Sequence, residues 1–218
     1  MPNRDLAHEW TDEELERLER RIARVYREAR NELNETVKAY FESFRKRDEE
    51  MKALIGTIQN GKEWTEQDYK QWRLNQIGRG KRFEALRDQM AERYTKANEV
   101  AVAYVNDATP GIYSLNRNYA AYTIEKVAGN VGFDLWDERT VRRLIVEQPN
   151  LMPYYPKKKA LKRGIDLKWG KKQITKSITS GILQGKSVGQ IATDLQARVS
   201  EMNRSSAVRA ARTAITSA

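Results

Sequence analysis

The sequence predicts a mainly α protein, a long antiparallel helical hairpin followed by a smaller basic helical region. Three observations lead there. Apolar residues recur in steps of three and four over two long stretches, the period of one helix face rather than of a strand. Charged residues make up 32% of the 218 and apolar ones only 39%, which suits long solvated helices better than a compact α/β enzyme. Helix breakers are sparse, with five prolines and twelve glycines in the whole chain. The length suffices for one large domain or two small ones with a buried core. Three successive segments are expected: residues 1–108 as the hairpin, 109–156 as a helical connector with a Pro-containing linker, and 157–218 as the basic helical region.

Thr11-Asp12-Glu13-Glu14 reads as a helix start, with a Thr cap, Glu14 three residues on, and acids near the positive dipole end. The stripe then runs through Leu15, Leu18, Ile22, Val25, Ala29, Leu33, Val37, Tyr40, Phe44, Met51, Ile55 and Ile58, interrupted once by Asp48. A helix over that span would extend about 72 Å. Asn60-Gly61 supplies a stop or turn. Thr65-Glu66-Gln67-Asp68 repeats the start signal, and Tyr69, Trp72, Phe83, Leu86, Met90, Tyr94, Ala97, Ala101 and Tyr104 form the second stripe. Gly78 and Gly80 predict a kink or short break within it. The two stripes are expected to bury each other.

Pro110-Gly111 is expected to close the second helix, and Tyr113 to Val127 to form a third, ended by Gly129-Asn130-Val131-Gly132. A short helix over Thr140 to Val146 stops before Pro149, and Pro153 and Pro156, beside Tyr154 and Tyr155, mark a linker or docking loop. In the basic third, Ile174, Ile178, Ile182 and Leu183 lie on a helix from Gln173 to Gln184, with Gly185 as its C-cap. Ser187 fits an N-cap for the helix of Val188, Ile191, Ala192, Leu195 and Val199. A further capped start is expected at Asn203 to Ser206, ahead of Ala207, Val208, Ala211 and Ile215. That last pattern is still running at Ala218, so the gene product is expected to continue.

Several function classes drop out. No run of eighteen apolar residues exists, so no membrane span is predicted, and Met1 to Trp10 is too polar for a signal segment. Without cysteine, this chain has no disulfide, thiolate nucleophile or Cys-ligated zinc. His8, the single histidine, cannot build a multi-His metal site. Glu13, Glu14, Glu16, Glu19, Glu28, Glu32 and Glu35 crowd the first helix, and a pair such as Glu28–Glu32 has the spacing for a divalent ion. Glu13 with Arg17, Glu16 with Arg20, and Arg24 with Glu28 instead favour a solvated face of opposite charges four residues apart. Gly181-Ile182-Leu183-Gln184-Gly185-Lys186-Ser187 imitates a phosphate-cradling loop, but only three residues separate its glycines and a helix precedes it. The expectation is a protein without catalytic residues, metal or cofactor.

The net charge of +10 is uneven. Residues 151–218 hold fourteen Lys and Arg against Asp166, Asp194 and Glu201, a net of +11, and the preceding 150 residues carry −1. Such asymmetry points to an anionic partner, nucleic acid or an acidic protein surface. A membrane surface is disfavoured, because the stretch lacks a strong amphipathic apolar face. The candidate nucleic-acid-binding residues are Lys157, Lys158, Lys159, Lys162, Arg163, Lys168, Lys171, Lys172 and Lys176. Trp169, Tyr154 and Tyr155 are suited either to stacking on bases or to packing within the protein. The length of the Leu15-to-Ile58 seam predicts oligomerisation or docking on a ring assembly.

Read in order, Ile165-Asp166-Leu167-Lys168-Trp169, Ile182 to Ser187, Ile191-Ala192-Thr193-Asp194-Leu195 and Ala211-Arg212-Thr213 resemble the head morphogenesis, or minor head protein, family of tailed phages. That family's pattern is a Trp-containing segment, a helix ending in Gly-x-Ser, an Ile-Ala-x-x-Leu helix and an Ala-Arg-Thr helix. Tyr119 to Val127 and Phe133-Asp134-Leu135 are similar to its middle region, so the resemblance covers roughly the second half. Two departures stand out: Ala214 follows Thr213 where the family commonly has Glu, and the family's cysteine-containing segment is missing. No activity or metal binding located there is carried over. The resemblance implies a few-copy component of the phage head, bound to the portal or capsid interior and serving assembly, DNA packaging or DNA delivery. It also implies a place in the virion, with host cytoplasm as the site of assembly, and non-specific contact with packaged double-stranded DNA. Two other classes fit the residues alone: a helical scaffold or adaptor for an acidic protein, and the delivery region of a larger toxin-like enzyme.

Overall fold

Long apolar stripes of helical period become long helices here. The structure is a computed structural model that describes residues 6–129, 132, 134–147 and 167–216. Those residues form α1 (Leu6–Ala53), β1 (Ile58–Gln59), β2 (Lys62–Glu63), α2 (Glu66–Ile77), α3 (Lys81–Ala128), α4 (Glu138–Glu147), α5 (Leu167–Leu183) and α6 (Val188–Thr216). The protein is 86% helical over its described length, so the mainly α class holds, with α1 and α3 as its long members.

Local signals explain most boundaries. Gln59 pairs with Lys62 across Asn60-Gly61, whose φ angles of 51° and 80° suit a tight two-residue hairpin turn. Helix α1 therefore ends before Ile55 and Ile58, and Ile58 is an exposed strand residue rather than part of the seam. Thr65 caps α2 reciprocally, its hydroxyl accepting from Asp68 N while Asp68 accepts from Thr65 N. Gly78 ends α2 and Gly80, at φ 90°, precedes α3, so the two glycines make a break.

Three expected boundaries are corrected. Thr11 is not a cap but lies inside α1, where its buried hydroxyl donates to Ala7 O at 2.7 Å and lies 3.1 Å from Asn116 Oδ1. Pro110 does not close a helix, because α3 runs through it to Ala128. The missing proline N–H costs one helical bond, and burial of Val105, Thr109 and Ile112 around it outweighs that loss. Asn203 starts no new helix either. It sits within α6, and its side-chain amide donates to Val199 O at 2.7 Å.

Contacts group the chain into two compact units, each drawn from more than one stretch of sequence. Of the described residues, those within 1–25, 98–163 and 204–218 make up unit 1, and those within 26–97 and 164–203 make up unit 2. In unit 1 the start of α1 runs antiparallel to the second half of α3, with the Arg21 guanidinium 4.0 Å from the Tyr104 ring centroid. The irregular stretch before α4 is tied to α3. Trp136 N donates to Asn118 Oδ1 at 2.9 Å, Asn118 Nδ2 returns a bond to Trp136 O, and Arg117 stacks 3.8 Å over the Trp136 ring. Asp137 then caps α4 by accepting from Thr140 N at 2.7 Å.

Unit 2 packs α2, α5, the rest of α1, the first part of α3 and the first part of α6. Its core includes Tyr26, Leu33, Val37 and Phe41 of α1, Met90 and Tyr94 of α3, Ile174 and Ile178 of α5, and Ile191 and Leu195 of α6. Asp48, the interruption in the first stripe, is buried among them. Tyr69 OH donates to Asp48 Oδ1 at 2.9 Å, and Arg73 Nε lies 2.9 Å from the same oxygen. Arg73 is 1% exposed, and its Nη2 meets no hydrogen-bond partner among the described residues. Burial pushes the Tyr69 hydroxyl up to about 12 against the opposing pull of Arg73.

Candidate nucleic-acid interface

The nine cationic candidates divide into two groups. Lys157, Lys158, Lys159, Lys162 and Arg163 lie outside the described residues, as do Tyr154, Tyr155 and the prolines beside them. Lys168, Lys171, Lys172 and Lys176 all fall on α5 of unit 2.

Two opposed faces make α5 what it is. Ile174, Ile178, Gly181 and Ile182 are buried on one side. A Cβ on Gly181 would come within 2.9 Å of Ile191 Cγ1, so only glycine permits that approach to α6. A Cβ on Gly170 would meet Ala91 Cβ at 3.6 Å, which seats the other end of α5 on α3. The outward side carries Lys168, Lys172 and Lys176 at four-residue spacing, a row about 12 Å long. Lys172 and Lys176 are exposed, and among the described residues neither is held in an ion pair.

Beside that row runs a groove of about 770 Å³, lined by Arg87, Lys171, Lys172, Thr175, Lys176, Thr179, Ser180, Leu183 and Gln184. A smaller hollow of about 320 Å³ borders Lys176 and Ser180 from the other side and adds Arg198 of α6. Lys and Arg side chains and Ser and Thr hydroxyls border both hollows, but most of the lining surface is apolar, from side-chain stems and from Leu183, Val199 and Met202, and no aromatic ring lines either. Trp169 is half-buried on α5 and has its own interactions, away from the groove lining. Such a surface offers charge and hydrogen bonds to a phosphate backbone and no stacking platform for bases.

One carboxylate modifies the field. Arg87 Nε donates to Asp88 Oδ1 at 2.8 Å, and Lys171 Nζ lies 2.9 Å from Asp88 Oδ2. Hydrogen bonds from Arg87, then from Lys171, hold the Asp88 carboxyl below the usual carboxylate range. Lys171 thus differs from Lys172 and Lys176, having an acidic partner already. Sequence reading missed Arg87, Asp88 and Arg198. Only the fold brings Arg87 and Asp88 beside a lysine more than eighty positions away, and no local pattern marks them.

The nucleotide-loop look-alike is now explained. Lys186 N donates to Gly181 O and Gly185 N to Ile182 O, with Gly185 at φ 72°, a helix-ending motif that needs a left-handed residue. Ser187 and Gln190 then cap α6 reciprocally, as Ser187 N donates to Gln190 Oε1 and Gln190 N to Ser187 Oγ. Its Gly, Lys and Ser serve a helix–turn–helix junction, and Lys186 is paired with Asp194. Glu32, half of the carboxylate pair with divalent-ion spacing, is gripped through both oxygens by Arg93, at 2.5 and 2.9 Å. Among the described residues no group of three or more His, Cys, Asp or Glu is placed to hold a metal ion, and no helix is long and apolar enough to cross a membrane. Comparison of the chain with protein-family models, curated proteins and solved structures finds no match.

Proposed function

We propose that this chain is a non-enzymatic helical component of a tailed-phage head, bound to the portal or capsid interior, that contacts packaged double-stranded DNA through the cationic face of α5. One observation carries the DNA part: the exposed Lys172 and Lys176, in line with Lys168, on the rim of a groove that Arg87 and Lys171 also border. Phosphates neutralised by such a row release counterions, which gives affinity without sequence preference. The phage setting is supported by the ordered resemblance of the second half, whose Gly-x-Ser helix end and Ile-Ala-x-x-Leu helix coincide with the α5–α6 junction and α6.

The test uses the full chain and two short DNA duplexes of unrelated sequence. Both should bind alike, and affinity should fall about 40-fold between about 50 and 200 mM salt if three phosphates are neutralised. Lys172→Glu with Lys176→Glu should weaken both duplexes equally. Sequence-selective binding, or binding unaffected by the reversal, would reject the DNA reading. Binding of an acidic protein partner lost on the same reversal would favour an adaptor instead. Co-purification with the portal from infected cells tests the phage setting, and absence from purified heads would exclude it.

A further inference from the structure

Two of the cations that line the α5 groove, Arg87 and Lys171, share a counter-charge that lies beside the groove rather than in its lining. Asp88 follows Arg87 on α3, and its two carboxylate oxygens are divided between Arg87 and Lys171, at 2.8 and 2.9 Å. Its side chain is 37% exposed, so solvent and ligands reach it. A carboxylate with each oxygen on a different cation mimics the two non-bridging oxygens of a phosphodiester. We infer that Asp88 is a built-in competitor of phosphate, holding Arg87 and Lys171 at the groove wall and giving them up when a phosphodiester backbone enters.

The inference rests on the nucleic-acid reading of the groove and adds a specificity residue to it. Ion pairs this exposed are close to break-even with their hydrated components, which makes them exchangeable. A single small anion offers little to displace a partner tethered within the same fold. A polymer with successive phosphates gains Lys172 and Lys176 in the same event, so the exchange becomes favourable through multiple attachment. Asp88 therefore makes the groove select polyanions over isolated ions. A purely structural role, tying α3 to α5, is already filled by the Gly170–Ala91 contact and by buried Ile174 and Ile178.

Asp88→Asn keeps the shape and removes the charge. In the full chain it should bind a short DNA duplex about three- to tenfold more tightly at low salt, because two cations are released to the ligand. The dependence of log affinity on log salt should steepen by about one to two, one increment for each freed cation that meets a phosphate. Adding Lys171→Gln should return about half of that increase, leaving the increment of Arg87. Asp88→Ala serves as a second variant free of the amide's own hydrogen bonds, and circular dichroism checks that both remain helical. If Asp88→Asn and Asp88→Ala bind no more tightly than wild type while Lys172→Glu still weakens binding, the competitor role is overturned and the groove reading survives. If neither wild type nor Asp88→Asn binds duplex DNA, both readings fall.

Discussion

Asp48 and Asp88 are two aspartates of the same compact unit, each beside an arginine at 2.8 to 2.9 Å, and they serve opposite ends. Around Asp48 the interior is closed. Arg73 is 1% exposed and Tyr69 6%, so the charges have no alternative partner and can only hold α1 and α2 together. Around Asp88 solvent is present, and each of its cations can trade the carboxylate for another anion. The difference lies in what else the partners could reach, not in the strength of either contact. Burial turns an ion pair into architecture, and exposure leaves it as exchangeable equipment.

The largest expected effect comes from breaking the interior pair. Asp48→Ala leaves a buried, unpaired guanidinium and should cost about 3–5 kcal/mol in chemical denaturation. Adding Arg73→Met should restore most of that loss, since an apolar replacement of a buried pair is often neutral. A double variant no more stable than Asp48→Ala would show that the pair does more than compensate itself.

Next in size is the response to alkali, which addresses the interior alone. Burial raises the hydroxyls of Tyr40, Tyr69 and Tyr94 to about 12, and that of Tyr26 further still. The folded state keeps protons that the unfolded chain releases near pH 10, so stability is complete below that value and falls as pH rises towards 12. Tyrosinate absorbance should show these residues un-ionised past pH 10 until the helices melt. Titration of all ten tyrosines near pH 10 with the fold intact would contradict the packing described.

The smallest effect is expected at the surface. Asp88 has a lowered carboxyl in the folded state, so its contribution is present above its unfolded value near pH 4 and fades only as pH falls through the folded one. Asp88→Asn should leave the thermal midpoint essentially unmoved while changing salt-dependent binding. A large drop in midpoint would place Asp88 with Asp48 and collapse the contrast.

How much of this could be read beforehand follows the same division between local and distant. The two long stripes, the break at Gly78 and Gly80, the Thr65 cap and the Gly185–Ser187 junction were legible, because each depends on bonds within a few residues. Thr11 and Asn203 misled because hydroxyl and amide side chains that cap helices also bond back to carbonyls four residues earlier. Pro110 misled because packing around Val105 and Ile112 overrides a lost hydrogen bond. Of the candidate interface, the lysine row on α5 was visible as charge at helical spacing. Arg87 and Asp88 were not, since their partner Lys171 is brought to them only by the fold. The breach at Asp48 was visible, but its reason lay in Tyr69 and Arg73 on another helix.

The sharing of α1, α3 and α6 between the two compact units bears on inheritance. Neither unit corresponds to one uninterrupted stretch of coding sequence. A single recombination breakpoint cannot transplant either one intact, because any cut that frees one set of residues severs helices belonging to the other. Gene shuffling among relatives should therefore exchange the chain from Leu6 to Thr216 as a block, and chimaeric proteins joined within it should be rare among viable recombinants.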